Sequence, residues 1–446
     1  MARSGLAVAS LLKKYGGDVF VTDVKNSPFL AKETEELKKL GIEYEIGGHS
    51  HNSIKDKDFL VISPGVSFDI PILLEAQEKG IPIFSEVEVA FWLNQAFIVG
   101  ITGTNGKTTT ATLIGEILKE DKREVKVAGN IGVPFSSVVE EVSSDGIIVL
   151  ELSSFQLEKI EEFHPKVASI LNITPDHLDR YSDFKSYKDA KLRIFENQTE
   201  EDFAVLNFDD DESRGIENFS KGEKIFFSTI NELDPGVFLK DGSLIFSAGG
   251  GSFGIFEGKE EKIIEATQIG IKGPHNLSNV ACASAISLIL GVKLGSIRNA
   301  LQNFKGVEHR LEEVSTISGV KFINDSKATN VNSVWYALQS IGRPIILIGG
   351  GRDKGGDFTK LRDLVKDKVK ALILLGEAKE KMKNELGDLI PTFFVSDMEE
   401  AVNLSLEKAS SGDSVLLSPG CASFDMFDNF EHRGKVFKSA VEKLKK

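Results

Sequence analysis

Gly103, Thr104, Asn105, Gly106, Lys107, Thr108 and Thr109 form the centre of the stretch GITGTNGKTTTATLIGEIL, residues 100–118. An apolar run, Ala96–Ile101, precedes them, and apolar residues at helical spacing follow at Leu113, Ile114, Ile117 and Leu118. Strand, small-residue turn and helix in that order make an anion site. Backbone N–H groups can approach a phosphate closely, and the new helix presents its positive end. Lys107 can reach the terminal phosphates of a nucleotide, and the Thr108 hydroxyl can ligate Mg²⁺. Ile101 stands where the strict Walker pattern has glycine, so the loop is a variant hinged at Gly103 and Gly106. The plainer alternative is a threonine-capped turn with a solvated lysine.

Other groups with chemical potential follow further apolar runs. Glu151 ends the strand expected at Ile147–Leu152, in GIIVLELSSFQLE, and His177 and Asp179 follow the strand expected at Val167–Ile173, in LNITPDHLDRY. Carboxyl ends of parallel strands form ligand crevices. Glu151 there suits either a strand-end cap or a carboxylate on a nucleotide-bound Mg²⁺. Two neighbouring exits carrying Glu151 and His177 suit a shared cation site as well as a structural role. Lys191 and Arg193 lie on the helix SYKDAKLRIFE, where spacing does not separate Lys191 from a solvated lysine. Asn276 and Asn279 share a face of the helix opened by GPHNLSN; their amides can meet a base edge or cap and pack the helix. Near the C-terminus, FINDSKATN, IGGGRDKGGDF and LSPGCASFDMFDNFEHRG each begin at or just after an apolar strand. They offer Asp325, Lys327, Thr329, Arg352, Lys354 and Ser423, a set suited to a small dianion.

These groups need scaffolds. Short apolar strands alternate with amphipathic helices in three blocks, 1–93, 94–304 and 305–446, the signature of α/β folds with parallel sheets. Between DFAVLNFDDD and GIKGPHN the second block becomes rich in strands and turns, which predicts a small antiparallel sheet. A length of 446 residues suits two to three domains, and 41% apolar with 27% charged residues is ordinary for a globular enzyme. A net charge of −14 without a basic block argues against a nucleic-acid partner. Cys282 and Cys421 are far apart and outside metal-type spacings, as suits a reducing compartment. No apolar run approaches membrane-span length, and LAVASLL runs straight into KKYGGD rather than a cleavage site. The expectation is a cytoplasmic protein without a membrane partner.

The ordered motifs GTNGKTT, GNIG, ELSSFQLE, DHLDRY, AKLRIFE, HNLSN, EHRLE, NDSKATN, GGGRDKGGDF and SPGCASFDMFDNFEHRG resemble those of the Mur ligases over essentially the whole chain. NDSKATN and the last motif point to the D-glutamate-adding branch. The resemblance implies three domains: an N-terminal Rossmann-like domain for a UDP-sugar, a central P-loop-type ATPase domain, and a C-terminal Rossmann-like domain for the amino acid. It implies an ATP-dependent amide ligase with UDP-N-acetylmuramoyl-L-alanine and D-glutamate as substrates, acting as a monomer. Residues 103–109 would cradle ATP, joined by Asn276, Asn279, Arg310 and Asp325. Thr108, Glu151, His177 and Lys191 would belong to two Mg²⁺ sites, with Lys191 carbamylated. Ser4, Asp23, Gly65 and Asn130 would meet the UDP-sugar; Thr329, Lys354, Ser423 and Phe430 would form the D-glutamate pocket. Lys107, Glu151, His177, Lys191 and Arg310 would carry catalysis.

One departure stands out. The family begins with an apolar strand and a Gly-rich turn ahead of SGLA, whereas this sequence starts MARSGLAVA. The expectation is a first block whose inner strands lack a partner, looser than the other two and weak towards the UDP-sugar. Two rival functions share the ATP loop: a sibling ligase using another amino acid, including a folylpolyglutamate-type enzyme, and a nucleotide-binding regulator without turnover. A nicotinamide dehydrogenase is disfavoured, because no G-x-G-x-x-G follows a strand.

Overall fold

Runs of Val, Ile and Leu bounded by glycine and polar turns become buried strands, and their carboxyl ends carry the chemistry. The computed structural model describes residues 3–26, 30–130, 132–177, 180–216, 218–249, 252–253, 256–257, 260–342, 344–353 and 355–445. The chain divides into two compact units, Met1–Phe304 and Lys305–Lys446.

In the first 93 residues β1 (Phe20–Asp23) pairs in parallel with β2 (Glu43–Ile46), and β3 (Leu60–Ile62) with β4 (Ile83–Ser85). These are two separate pairs, and no ladder joins them among the described residues. The helix Glu86–Trp92 ties this block to residues 94–304. Its Glu88 carboxylate accepts the N–H groups of Glu161 (2.9 Å), Glu162 (2.7 Å) and Phe163 (3.0 Å), and the Trp92 indole N–H (3.0 Å). A buried carboxylate needs such a set of donors, since leaving it unpaired is costly.

A nine-stranded sheet follows. Its strands are β5 (Phe97–Thr102), β6 (Val125–Gly129), β7 (Ile147–Glu151), β8 (Val167–Ile170), β9 (Phe203–Asn207), β10 (Glu223–Ser228), β11 (Gly236–Lys240), β12 (Ser243–Ser247) and, beyond a short hairpin of β13 (Ser252–Phe253) and β14 (Phe256–Glu257), β15 (Glu260–Glu265). The order is β15-β12-β11-β10-β9-β8-β5-β7-β6. From β6 across to β11 all neighbours are parallel; β11, β12 and β15 are antiparallel. The antiparallel part is thus present, but it extends the parallel sheet edge-on instead of standing apart. β8 ends at Ile170, earlier than the apolar run to Ile173, because Asn172 and Thr174 turn to bind the glycine loop and Ile173 N turns to Asp210.

The helix Lys107–Glu120 packs on this sheet through Leu113, Ile114, Ile117 and Leu118, each fully buried. Burial of one such side chain stabilises by about 1.5–3 kcal/mol. Gly115 allows the close approach, since a Cβ there would lie 2.4 Å from Val127 Cγ2. The helix Pro274–Ile289, rich in alanine and serine, lies beside it.

In residues 305–446 a six-stranded sheet is formed by β16 (Glu312–Ile317), β17 (Val320–Asn324), β18 (Ile345–Gly350), β19 (Val369–Leu375), β20 (Thr392–Phe394) and β21 (Ser414–Leu417), in the order β16-β17-β21-β18-β19-β20. Only the β16–β17 pair is antiparallel. Ile345–Ile348 are all fully buried, the continuous apolar run of a strand covered on both faces. No helix of the described residues is long and apolar enough to cross a membrane.

Candidate active site

The loop after β5 is built for close approach. Gly103 has φ +142° and a Cβ there would meet Leu171 Cβ at 3.1 Å and Asn172 O at 3.2 Å; Gly106, the helix N-cap, has φ +86° and a Cβ there would meet Asn279 Oδ1 at 2.3 Å. Only glycine fits both positions. The same contact puts Asn279 against the loop, with Asn276 Oδ1 3.4 Å from its amide nitrogen. The exit of β8 clamps the loop from the other side. Thr104 N donates to Asn172 O (2.9 Å), Asn105 N to Asn172 Oδ1 (2.9 Å) and the Thr104 hydroxyl meets Thr174 O and Tyr187 Oη, each at 3.1 Å. Sequence reading passed over Asn172 and Tyr187. Their only signal was position, one directly after a strand exit and the other on the helix that carries Lys191.

Lys107 and Lys191 converge on one acceptor. Lys107 Nζ donates to Gly103 O and Thr104 O, both at 2.9 Å, and Lys191 Nζ donates to Gly103 O, also at 2.9 Å. Lys191 lies on the helix Phe184–Leu192 and is 2% exposed. Burial first, then the neighbouring Lys107 charge, push its amine well below the usual lysine range; Asp176 and Glu151 pull the other way. Asp176, another residue the sequence did not single out, so enters the cluster.

Glu151 ends β7 and is 3% exposed. Asn130 Nδ2 donates to its Oε1 (3.0 Å) and Asn130 N to its backbone oxygen (2.8 Å). Its Oε2 is buried without a hydrogen-bond partner among the described residues. Such an atom calls for a ligand or a cation. Thr108 is buried at the helix start. His177 has φ +54°, its ring centroid lies 4.9 Å from that of Phe155, and Asp176 Oδ1 accepts its backbone N–H. Glu151 Oε2 and the Thr108 hydroxyl are oxygen ligands of the type that suits a hard cation completed by phosphate oxygens, and the His177 imidazole is a softer donor. Arg193 instead serves the scaffold, donating to the carbonyls of Leu157, Glu158 and Ile160.

Two of the remaining positions of this unit also lie at strand exits, and the third is in a helix. Asp23 ends β1, with Lys25 N donating to its Oδ1, and Gly65 lies exposed in the turn after β3. Ser4 is in the first turn of the helix Arg3–Lys14, whose Gly5 faces that turn: a Cβ there would lie 3.2 Å from Ser63 Oγ.

In the C-terminal unit the exits of β17, β18 and β21 meet. Gly420 N donates to Ala328 O (2.9 Å), and Arg352 and Ala422 exchange backbone bonds. Thr329 is half-buried, Ser423 buried, and Phe430 opens the helix Phe430–Lys443 with Lys327 Nζ 5.9 Å from its ring centroid. Asp325 is pushed up to about 7 by burial; against that act a bond from the Ser418 hydroxyl (2.7 Å), the charge of Arg310 and a bond from Leu311 N. Arg433, passed over in the sequence, is 2% exposed and donates to Ser326 Oγ (3.0 Å), Ser326 O (2.8 Å) and Cys421 O (3.1 Å). Arg352 pairs with Glu377 (3.1 Å) at the surface. Lys354 and Asp179 lie outside the described residues.

Family models match along the chain: "Mur ligase MurD-like, N-terminal domain" over residues 1–85, "Mur ligase middle domain" over 101–287, and "Mur ligase, glutamate ligase domain" over 309–421. The UDP-N-acetylmuramoylalanine--D-glutamate ligase of Thermoanaerobacter sp. (strain X514) is 44% identical, covering 99% of this chain and 97% of its own length. The protein of the same name from Geotalea uraniireducens is 46% identical, with 100% and 96% covered. Among solved structures, a pseudomurein peptide ligase type C from Methanothermus fervidus superposes with a TM-score of 0.59 at 20% identity, covering 98% and 97% of the two chains. UDP-N-acetylmuramate-alanine ligase MurC from Thermotoga maritima does so at 0.58 and 19%, covering 99% and 97%. These two show a shared fold.

Proposed function

The chain belongs to the Mur ligase family, and on that premise we propose that it joins D-glutamate to UDP-N-acetylmuramoyl-L-alanine at the expense of ATP, in peptidoglycan precursor synthesis. Its nucleotide substrates make the cytoplasm the workplace. In the first step a carboxylate oxygen of the UDP-sugar substrate attacks the γ-phosphorus of ATP. The bond to the β-phosphate oxygen breaks and ADP leaves, giving an acyl phosphate. The amine of D-glutamate then attacks the acyl carbon, the tetrahedral adduct expels inorganic phosphate, and the amine proton leaves to solvent. Such a reaction depends on positioning and on charge neutralisation more than on covalent help from the protein.

The observation that carries this reading is the pair of lysine amines on Gly103 O beside the orphaned Glu151 Oε2. Lys107 takes charge on the transferring phosphoryl group. The Lys191 amine, held towards its neutral form, is a nucleophile for CO₂: the nitrogen lone pair forms the N–C bond and a proton leaves. The resulting carbamate turns a repelled cation into an oxygen ligand. Thr108, Glu151, His177 and the carbamate would hold Mg²⁺, which offsets the repulsion between triphosphate and attacking carboxylate. Asn279 and Asn276 face the nucleotide, joined by Arg310 and Asp325. Ser4, Asp23, Gly65 and Asn130 receive the UDP-sugar, and Thr329, Lys354, Ser423 and Phe430 receive D-glutamate. Three functional regions, 1–93, 94–304 and 305–446, divide these tasks in a monomer.

Phosphate release from ATP with UDP-N-acetylmuramoyl-L-alanine, with and without D-glutamate, tests the reading. Release and a coupled product should require both substrates. A product with another amino acid in place of D-glutamate would identify a sibling ligase, and ATP hydrolysis indifferent to both substrates would identify a regulator.

A further inference from the structure

The loop after β8 reaches the turn after β3 through one side chain. Arg180 Nη1 donates to Pro64 O (2.7 Å) and Nη2 to Val66 O (2.9 Å), the two carbonyls that flank Gly65. The guanidinium carbon stands 3.9 Å from the Phe155 ring centroid, and Phe68 lies 5.9 Å away. Glu158 Oε2 is 3.8 Å from Nη2, and its other oxygen accepts the Tyr181 hydroxyl. At the other end of the same residue, Arg180 N and Tyr181 N both donate to His177 O, each at 3.0 Å, and Phe155 also contacts the His177 ring. The ring stack continues to Tyr187, whose hydroxyl meets Thr104 in the glycine loop.

We propose that Arg180 is a positioning residue for the ligase reaction: it sets the Ser63–Val66 turn, and with it the UDP-sugar end of the site, against the loop that carries His177. The inference rests on the ligase reading above. Among the described residues the turn holds a single local backbone bond, Val66 N to Ser63 O (3.0 Å), so it depends on outside support for its shape. Gly65 is exposed with open space at its Cβ position, which leaves its backbone available to a ligand. A planar fork can bond two carbonyls and lie flat on Phe155 at once. An ammonium cannot do both, so lysine is not a conservative replacement. The attacking carboxylate sits at the far end of the UDP-sugar from its nucleotide, so a small shift of the turn is carried to the reacting atoms.

The test compares the full-length wild type with Arg180→Lys and Arg180→Ala. The KM for UDP-N-acetylmuramoyl-L-alanine should rise about tenfold or more in both, while the KM for ATP stays within about twofold. Millimolar guanidinium ion should restore part of the loss in Arg180→Ala but not in Arg180→Lys. Amide exchange at Val66 should quicken in Arg180→Lys, a readout that needs no turnover and survives if the alanine variant does not fold. An unchanged UDP-sugar KM, a parallel rise in every KM, or unchanged exchange at Val66 overturns the assignment. Absence of turnover in the wild type would count against the ligase reading itself, and exchange at Val66 then still decides the role of Arg180.

Discussion

The two strand-exit crevices, after β5, β7 and β8 in one unit and after β17, β18 and β21 in the other, share an architecture but treat buried charge in opposite ways. In the first, two amines meet on Gly103 O, Lys107 reaching Thr104 O as well, and Glu151 Oε2 has no partner among the described residues. In the second, Asp325 takes the Ser418 hydroxyl and Leu311 N, and Arg433 places its donors on Ser326 and Cys421, while Asp425 Oδ1 in the loop after β21 is a buried oxygen without a partner among the described residues. Unsatisfied buried groups are costly and persist where a ligand completes them. Satisfied ones fix loop shape. The first crevice is therefore arranged around charge that arrives with substrates. The second is a preset frame on which half-exposed groups such as Thr329 are displayed.

The largest effect expected from this contrast is at Lys191. Lys191→Ala should lower kcat by about a hundredfold or more, of the order seen when a charge-stabilising group is lost from an active site. Acetate or another short carboxylate should restore part of the rate by supplying the missing oxygens. The melting temperature should hold or rise, because a buried amine beside Lys107 is removed. Full activity in the alanine variant would sink the assignment, and a large fall in melting temperature would make Lys191 a member of the satisfied class instead.

Arg433 should behave in the opposite sense. Arg433→Met leaves the carbonyls of Ser326 and Cys421 without their buried donor, at a cost on the order of 3 kcal/mol to the C-terminal unit. Chemical denaturation followed by Trp335 fluorescence, in a Trp92→Phe background, reports that unit. Loss of D-glutamate turnover without loss of stability would place Arg433 among the substrate groups and blur the contrast. Lys354→Ala provides the companion measurement. It should raise the KM for D-glutamate by about 2–4 kcal/mol in binding terms and leave the ATP KM near wild type.

How far these differences were legible in the sequence follows from range. Strand, turn and helix around residues 97–120 were readable because period and glycine placement are local, and the boundaries moved by only a residue or two. The family was readable because ten motifs keep their order, and the D-glutamate branch from NDSKATN and the last motif; the names of the full-length relatives agree with both. Lys191 was chemically indistinct until burial and Lys107 were seen beside it, since both are tertiary facts. Asn172, Arg180 and Arg433 escaped for the same reason: each acts through backbone atoms far away in sequence, to which no side-chain pattern points. The run to Ile173 misled about β8, because apolar composition does not reveal that Asn172 and Thr174 leave the ladder for the glycine loop.

The smallest effect tests the frame itself through pH. Asp325 is raised from its ordinary 3.8 to about 7 by burial, so the folded state keeps its proton over a range in which the unfolded chain has lost it. The sign follows from linkage. The stabilising contribution of protonated Asp325 is full below about pH 4 and is lost as pH rises to about 7, above which both states are ionised. Within that window the slope is at most about 1.4 kcal/mol per pH unit, the value for one proton. Asp325→Asn removes the titration; its amide oxygen can still accept from Leu311 N, and its NH2 can donate to the Ser418 hydroxyl oxygen. The pH dependence of unfolding of the C-terminal unit, followed by Trp335, should therefore flatten between pH 4 and 7 in the variant, with little change outside it. An identical slope in both proteins would mean that Ser418, Leu311 and Arg310 already hold Asp325 ionised at neutral pH. The second crevice would then also carry a resident negative charge, and the contrast would narrow to the two lysine amines that meet on Gly103 O in the first.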